Sequence, residues 1–310
     1  MVLGDGEARA TEECDGGGGG FRWLHLSLAH QGTTSWIERA PDLPAGVKEL
    51  LLSADNHQRA LVDDGVVGCV LHDFERDFEL TEISRVGVLR FALAPSLMIT
   101  ARLHPIRSAD LVRQKLQRGA PVASAPAALD LLVGTISEMV ARIGRDISVE
   151  VQKAEDAFLD GHHPPGARNL IGIRRRLAQL HRLLDGMRAV FRRLEEDEEL
   201  PEPLVATVEK LSQRLQALDS DTIAIQSQLR LLREDMDIQE AQRTNQNLYI
   251  LSIITALLLP ATLVTGLFGM NTGGLPWAAA PLGTLYATLL AMAAAGATYL
   301  LLRRLGFMRR

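Results

Sequence analysis

Residues 243–303 read RTNQNLYILSIITALLLPATLVTGLFGMNTGGLPWAAAPLGTLYATLLAMAAAGATYLLLR, and no charged side chain stands between Arg243 and Arg303. A hydrocarbon core of about 30 Å takes roughly 20 apolar residues of helix. Two such runs fit here, 248–270 and 282–302, so the chain is expected to cross a bilayer twice. The connecting loop, 271–281, holds no Lys or Arg, whereas Arg243 precedes the first run and Arg303, Arg304, Arg309 and Arg310 follow the second. Basic residues favour the cytoplasmic side, which places both termini in the cytoplasm of a multi-pass protein of the inner membrane.

Outside this stretch the chain changes character. Its 310 residues are 47% apolar on average, but that average joins an apolar end to a polar body of about 240 residues. A formal charge of −5 excludes the basic excess of a nucleic-acid binder and suits cations better than anions. Cys14 and Cys69 lie far apart and outside any CxxC spacing, so neither a disulfide framework nor a thiolate zinc site is expected. Residues 1–20, ending in a glycine run, lack the basic and apolar regions of a secretory signal and read as a disordered arm.

From 21 to 126 the pattern is mixed. FRWLHLSL alternates like a strand, VKELLLSA looks helical, and GVVGCVLHDF, GVLRFAL and LMITARL are apolar runs bounded by turn residues, which predicts a small α/β domain. The period then becomes helical over 127–200. Leu129, Leu132, Ile136, Met139, Ile143 and Ile147 form one stripe, the segment 161–166 turns the chain, and Leu170, Ile173, Leu177, Leu180 and Leu184 form a second. Together they predict a helical hairpin. Its acidic far end, 195–199, is either a solvated helix terminus or a collar that concentrates cations. A third helical pattern runs from 203 to 270. Such a helix is about 100 Å long and must pack on its own hairpin and on copies of itself.

Along the first span, steps of three and four from Asn245 give Leu248, Ser252, Thr255, Leu259, Thr262, Gly266 and Gly269. Two readings stay open for this face of small and hydroxyl residues: the lining of a pore, or the close packing of membrane helices. Gly269, Met270 and Asn271 end the span at its outer mouth.

These parts in this order resemble the CorA family of divalent metal ion transporters: an α/β domain, a hairpin, a stalk becoming the first span, Gly-Met-Asn, a short loop, a second span over 282–302 and a basic tail over 303–310. The resemblance implies an α+β fold in a funnel-shaped homo-oligomer, a pentamer, embedded in the lipid bilayer. It also implies an outer selectivity ring of Gly269, Met270 and Asn271, a pore lined by Asn245, Leu248, Leu251, Leu259 and Thr262, and an acidic ring at Glu234 inside the funnel. Magnesium channels of the family carry an acidic segment after the tripeptide, whereas here the loop runs TGGLPW over 272–277 without a carboxylate. That departure, and ITARLHPIRSADLVR over 99–113, resemble the ZntB branch, associated with zinc. The expected cargo is therefore Zn²⁺, with a CorA-type Mg²⁺ channel as the alternative and Co²⁺, Ni²⁺ and Cd²⁺ as ions that could follow. No cofactor is implied.

The chemistry of the expected filter is that of neutral oxygen. Amide and carbonyl oxygens hold the water shell of a dication rather than stripping it, so Asn271 would meet the metal through hydration water. The His, Cys and carboxylate ligands that zinc prefers are absent between Arg243 and Arg303, so zinc would pass hydrated. Leu248, Leu251 and Leu259, repeated around an axis, would close by dewetting. Proton coupling has no intramembrane Asp, Glu or His and would fall to Glu234, Asp235 and Asp237 at the inner mouth. His162 and His163 suggest either a regulatory metal site or a polar turn before two prolines. Nucleophile-elbow, Walker-loop and HExxH motifs are missing, so no enzyme is expected. The competing class is a membrane-anchored helical scaffold, whose spans only anchor and assemble the body.

Overall fold

A computed structural model of the chain describes residues 2–4, 7–9, 20–75, 85–160, 167–270, 276–277, 281–305 and 307. Two compact units divide at Leu232 and Arg233.

In the first unit the apolar runs become a sheet. Its strands are β1 (Val2–Gly4), β2 (Glu7–Arg9), β3 (Arg22–Ser27), β4 (Arg59–Asp63), β5 (Val66–Phe74), β6 (Val86–Ala94) and β7 (Leu97–Arg102), in the order β2-β1-β3-β7-β6-β5-β4. β3 pairs parallel with β7, and the other neighbours are antiparallel. β5 and β6 are buried over nearly their whole length, which is why they read as continuous runs rather than alternations. Asp64 and Gly65, at φ 53 and 73, form the two-residue turn joining β4 to β5, the backbone twist that Asp-Gly favours.

One expectation is corrected here. The arm over 1–20 is not wholly disordered: β1 pairs with β2, and Val2 pairs with Arg22 on β3. The edge of β3 offers unpaired backbone groups, and β1 meets it at this one pair.

Helices α1 (Gln31–Arg39) and α2 (Ala45–Leu52) cover one face of the sheet, closing a core of Ile37, Val47, Leu51, Ala92 and Ile99. Arg90 from β6 ends α2: its guanidinium donates to the Ser53 carbonyl at 3.0 Å and to Asn56 Oδ1 at 2.7 Å, a cation where the helix carbonyls point out. Leu89, one residue along β6, faces the opposite side, towards α3 (Arg107–Gln117) and α4 (Ala125–Leu159). α3 has no side-chain cap of its own. The buried carboxylate of Asp73 on β5 supplies one, accepting from the Ser108 amide at 3.1 Å and from the Ser108 hydroxyl. Burial pushes the Asp73 pKa up, and these hydrogen bonds oppose the shift. Cys69, inside β5, is free and fully buried, which raises its thiol pKa.

α4 and α5 (Ala167–Glu195) form the expected hairpin, and α6 (Glu202–Phe268) the expected long helix. α5 lies against β4 and β5, where Gln58 donates to the Leu183 carbonyl and accepts from the His72 amide, both at 3.2 Å. A Cβ at Gly186 would collide with the side-chain amide of Gln58, so glycine permits the approach. The first part of α6 buries Leu204, Val208, Leu211, Leu215, Ile225, Leu229 and Leu232 at the spacing read from the sequence. Asp219, 2% exposed, is fastened to α5: one oxygen accepts from His181 Nδ1 at 2.8 Å and the other from Arg188. Lys210 reaches Asp130 on α4 at 2.9 Å. His162, His163 and Cys14 lie outside the described residues.

Candidate functional site

The second unit holds the rest of α6 and α7 (Gly283–Arg304). Both helices contain windows long and apolar enough to cross a membrane. Nothing in the apolar window of α6 is buried, and Leu248, Leu251 and Leu259 are 56, 60 and 63% exposed. Among the described residues of α7 only Ala291 is buried. A helix apolar on every face cannot stay in water, so these surfaces need lipid or further protein.

Every expected pore residue among those described falls on α6. At the ideal 100° per residue, Glu234, Asn245, Leu248, Leu251, Ser252, Thr255, Leu259, Thr262, Gly266 and Gly269 project within an arc of about 120°. Glu234 and Asn245 are exposed. Gly269 and Met270 follow the last helical residue, and Asn271 lies outside the described residues.

Both threonine hydroxyls on this face are committed to their own helix. Thr255 donates to the Leu251 carbonyl at 2.8 Å, and Thr262 to those of Leu258 and Leu259 at 3.1 and 2.9 Å. A hydroxyl whose hydrogen turns back to the backbone shows only lone pairs outward. Water bound to a cation presents hydrogens, so this face offers acceptors of the polarity a hydrated dication needs.

Pro260 stands inside α6, off this face of the helix. It has no N–H, so the Ala256 carbonyl loses its helical donor, and the ring crowds that turn. Thr262 bonds to the carbonyls of Leu258 and Leu259, not to the carbonyl of Ala256 that the proline leaves without its helical donor.

The helix closes with the Gly269 amide on the Thr265 carbonyl at 2.9 Å and the Met270 amide on the Leu267 carbonyl at 3.3 Å, a tightening final turn. A Cβ at Gly269 would stand 3.2 Å from the Thr265 oxygen, tight enough to push that turn open. The ring of Trp277 in the loop and that of Tyr286 on α7 meet at 5.9 Å between centroids, tilted 44°, an aromatic pair of the type found at membrane interfaces. Among the described residues no three His, Cys, Asp or Glu side chains gather to hold a metal. The charge-free part of α6 thus offers threonine lone pairs amid apolar surface.

Comparison with known proteins matches residues 18–304 to a family described as CorA-like Mg²⁺ transporter protein. The zinc transport protein ZntB of Yersinia pseudotuberculosis is 25% identical over 282 residues, covering 88% of this chain and 81% of that one. The divalent cation transporter CmaX of Pseudomonas aeruginosa is 27% identical over 296 residues, covering 91% and 86%. Among solved structures, the complete CorA magnesium transporter of Methanocaldococcus jannaschii superimposes with a TM-score of 0.77 at 18% identity, covering 96% of this chain and 95% of that one.

Proposed function

Since this chain belongs to the CorA-like family of divalent cation transporters, we propose that it moves Zn²⁺ across the inner membrane as a homopentamer, through an axial pore lined by one α6 helix from each copy. Asn271 of each copy, with Gly269 and Met270, forms the outer selectivity ring. Below it the acceptor face of Thr262, Thr255 and Asn245 carries the hydrated ion, Leu259, Leu251 and Leu248 form the constriction, and Glu234 marks the inner mouth. The second span, the basic tail over 303–310 and the first unit complete a topology with both termini in the cytoplasm.

The observation that carries this reading is the pair of threonines, Thr255 and Thr262, that turn lone pairs outward on the charge-free part of α6, residues 244–268, leading into Gly-Met-Asn. A scaffold would account for two apolar helices but not for that alignment. Zinc is favoured by the carboxylate-free segment 272–277 and by the likeness to zinc transport proteins. A Mg²⁺ channel is the second reading, supported by the matched family's description and by the hardness of amide oxygen. Coupling to protons would run through Glu234, Asp235 and Asp237, since the spans hold no titrating carboxylate or imidazole.

Proteoliposomes loaded with a metal-sensitive dye test the proposal. Zn²⁺ influx should exceed Mg²⁺ influx and respond to a pH gradient. Asn271→Ala should lower selective flux by about tenfold or more, some 1.4 kcal/mol at the filter, while the oligomer stays intact. Wild-type flux in that variant would remove Asn271 from the filter, Mg²⁺ flux indifferent to pH would select the second reading, and no flux of either ion would leave the scaffold.

A further inference from the structure

On the face of the sheet opposite α1 and α2, a cavity of about 140 Å³ opens between β3, β7, α3 and α4. Trp23, Leu89, Leu116 and Leu132 make its apolar wall, while Arg102, Arg113 and Asp110 bring charge to it. Transport through the spans gives this place no role.

Its polar side is a wired chain. Thr100 Oγ1 donates to the Leu24 carbonyl at 3.2 Å and accepts from Trp23 Nε1 at 3.1 Å. Its other lone pair faces His25 Nδ1 at 2.9 Å, so Nδ1 bears the hydrogen. His25 Nε2 is then an acceptor, and Arg102 Nε donates to it at 2.9 Å. Burial, then the Arg102 charge, lowers the His25 pKa to about 4, so near neutral pH the ring is an uncharged base. It orients the guanidinium without neutralising it. The bond occupies Nε alone, and a guanidinium held in place presents its remaining fork to a carboxylate with little ordering left to lose.

Among the described residues lining the cavity, two guanidinium groups stand against one carboxylate, a positive balance. The size is informative too, because a cavity near 150 Å³ with apolar walls accommodates benzene. A flat body would lie along Trp23 and the leucines, and its acid group would meet Arg102 with Arg113 beside it. We propose that this cavity is a binding site for a small organic monocarboxylate with a flat, apolar body of about benzoate size, held end-on by Arg102.

Trp23 lines the site and reports on it. The chain has three tryptophans, so replacing Trp36 and Trp277 by Phe in the full-length protein, kept in detergent micelles, leaves Trp23 as the only one. Titrating benzoate should change its emission saturably, with a half-point of about 1 mM. Arg102→Lys keeps the charge but loses the fork and should weaken binding about tenfold, and Arg113→Gln should weaken it about threefold. Benzyl alcohol, similar in shape and uncharged, should give no saturable change. Ligand-observed saturation-transfer NMR on the otherwise unaltered protein and on Arg102→Lys repeats the comparison independently of the tryptophan substitutions. A linear benzoate response, an equal response to inorganic phosphate or chloride, or an unchanged half-point in Arg102→Lys would each overturn the proposal. No readout here depends on ion flux, so the outcome is independent of the transport reading.

Discussion

The two halves of α6 share one helical backbone and differ in what completes them. From Leu204 to Leu232 the apolar stripe is buried, fastened by Asp219 to α5 and by Lys210 to α4. From Leu248 to Phe268 the helix is apolar on nearly every side, and no residue there is buried within the chain. A narrow stripe with a polar back is satisfied by neighbours in its own fold, whereas an all-round apolar surface calls for lipid and for other copies. Hydrophobicity alone therefore does not say where a core will be; the angular width of the apolar surface does.

The sharpest test sets one leucine from each half side by side. Leu211 is fully buried, so Leu211→Ala should cost about 3 kcal/mol in urea unfolding of the first unit. Leu259→Ser, at a position 63% exposed, should move the same transition by less than about 0.5 kcal/mol while making the proposed pore leakier to ions. Equal losses of stability would erase the distinction, and a tighter pore would refute the constriction.

Asp219→Ala should cost about 2 kcal/mol, because Arg188 and His181 lose their acceptor where α5 meets α6. Asp219→Asn keeps the shape and an acceptor oxygen and should cost less. If both variants cost nothing, the fastening is incidental to the buried half.

The smallest effect is that of His25. Its pKa of about 4 lies below the ordinary 6.5, so the folded state favours the neutral ring. That contribution is whole above pH 6.5 and is lost as pH falls through 4. The urea midpoint of the first unit should decline over that window, and His25→Gln should flatten the decline. An undiminished slope in the variant would assign the pH dependence to other groups.

Much of this architecture was legible in the residues. Strands β3, β5, β6 and β7 and helices α2, α4, α5 and α6 follow apolar runs or spacings long enough to show a period. α1 was not, since Ile37 is its one buried apolar residue and gives no period to see. α3 presents Ser108, Val112 and Leu116 inward, a stripe whose first member is polar, and its cap comes from Asp73, 35 residues away. β4 is short, with only Ala60 and Val62 buried, so its residues show little period, and Asp64-Gly65 is the one sequence mark of its hairpin. The candidate pathway was visible as an order of parts and a helical face. The inward commitment of its hydroxyls was not, because that depends on rotamers about a backbone only the fold supplies.

The parallel pairing of β3 with β7 also carries a cost in time. Across that pairing His25 meets Thr100, 75 residues further on. At about 5–20 residues per second, a ribosome releases the first strand roughly 4–15 s before the second. During that interval Trp23 has neither its hydroxyl partner nor its leucine wall, so β3, though made early, waits for later strands and helices to seal it.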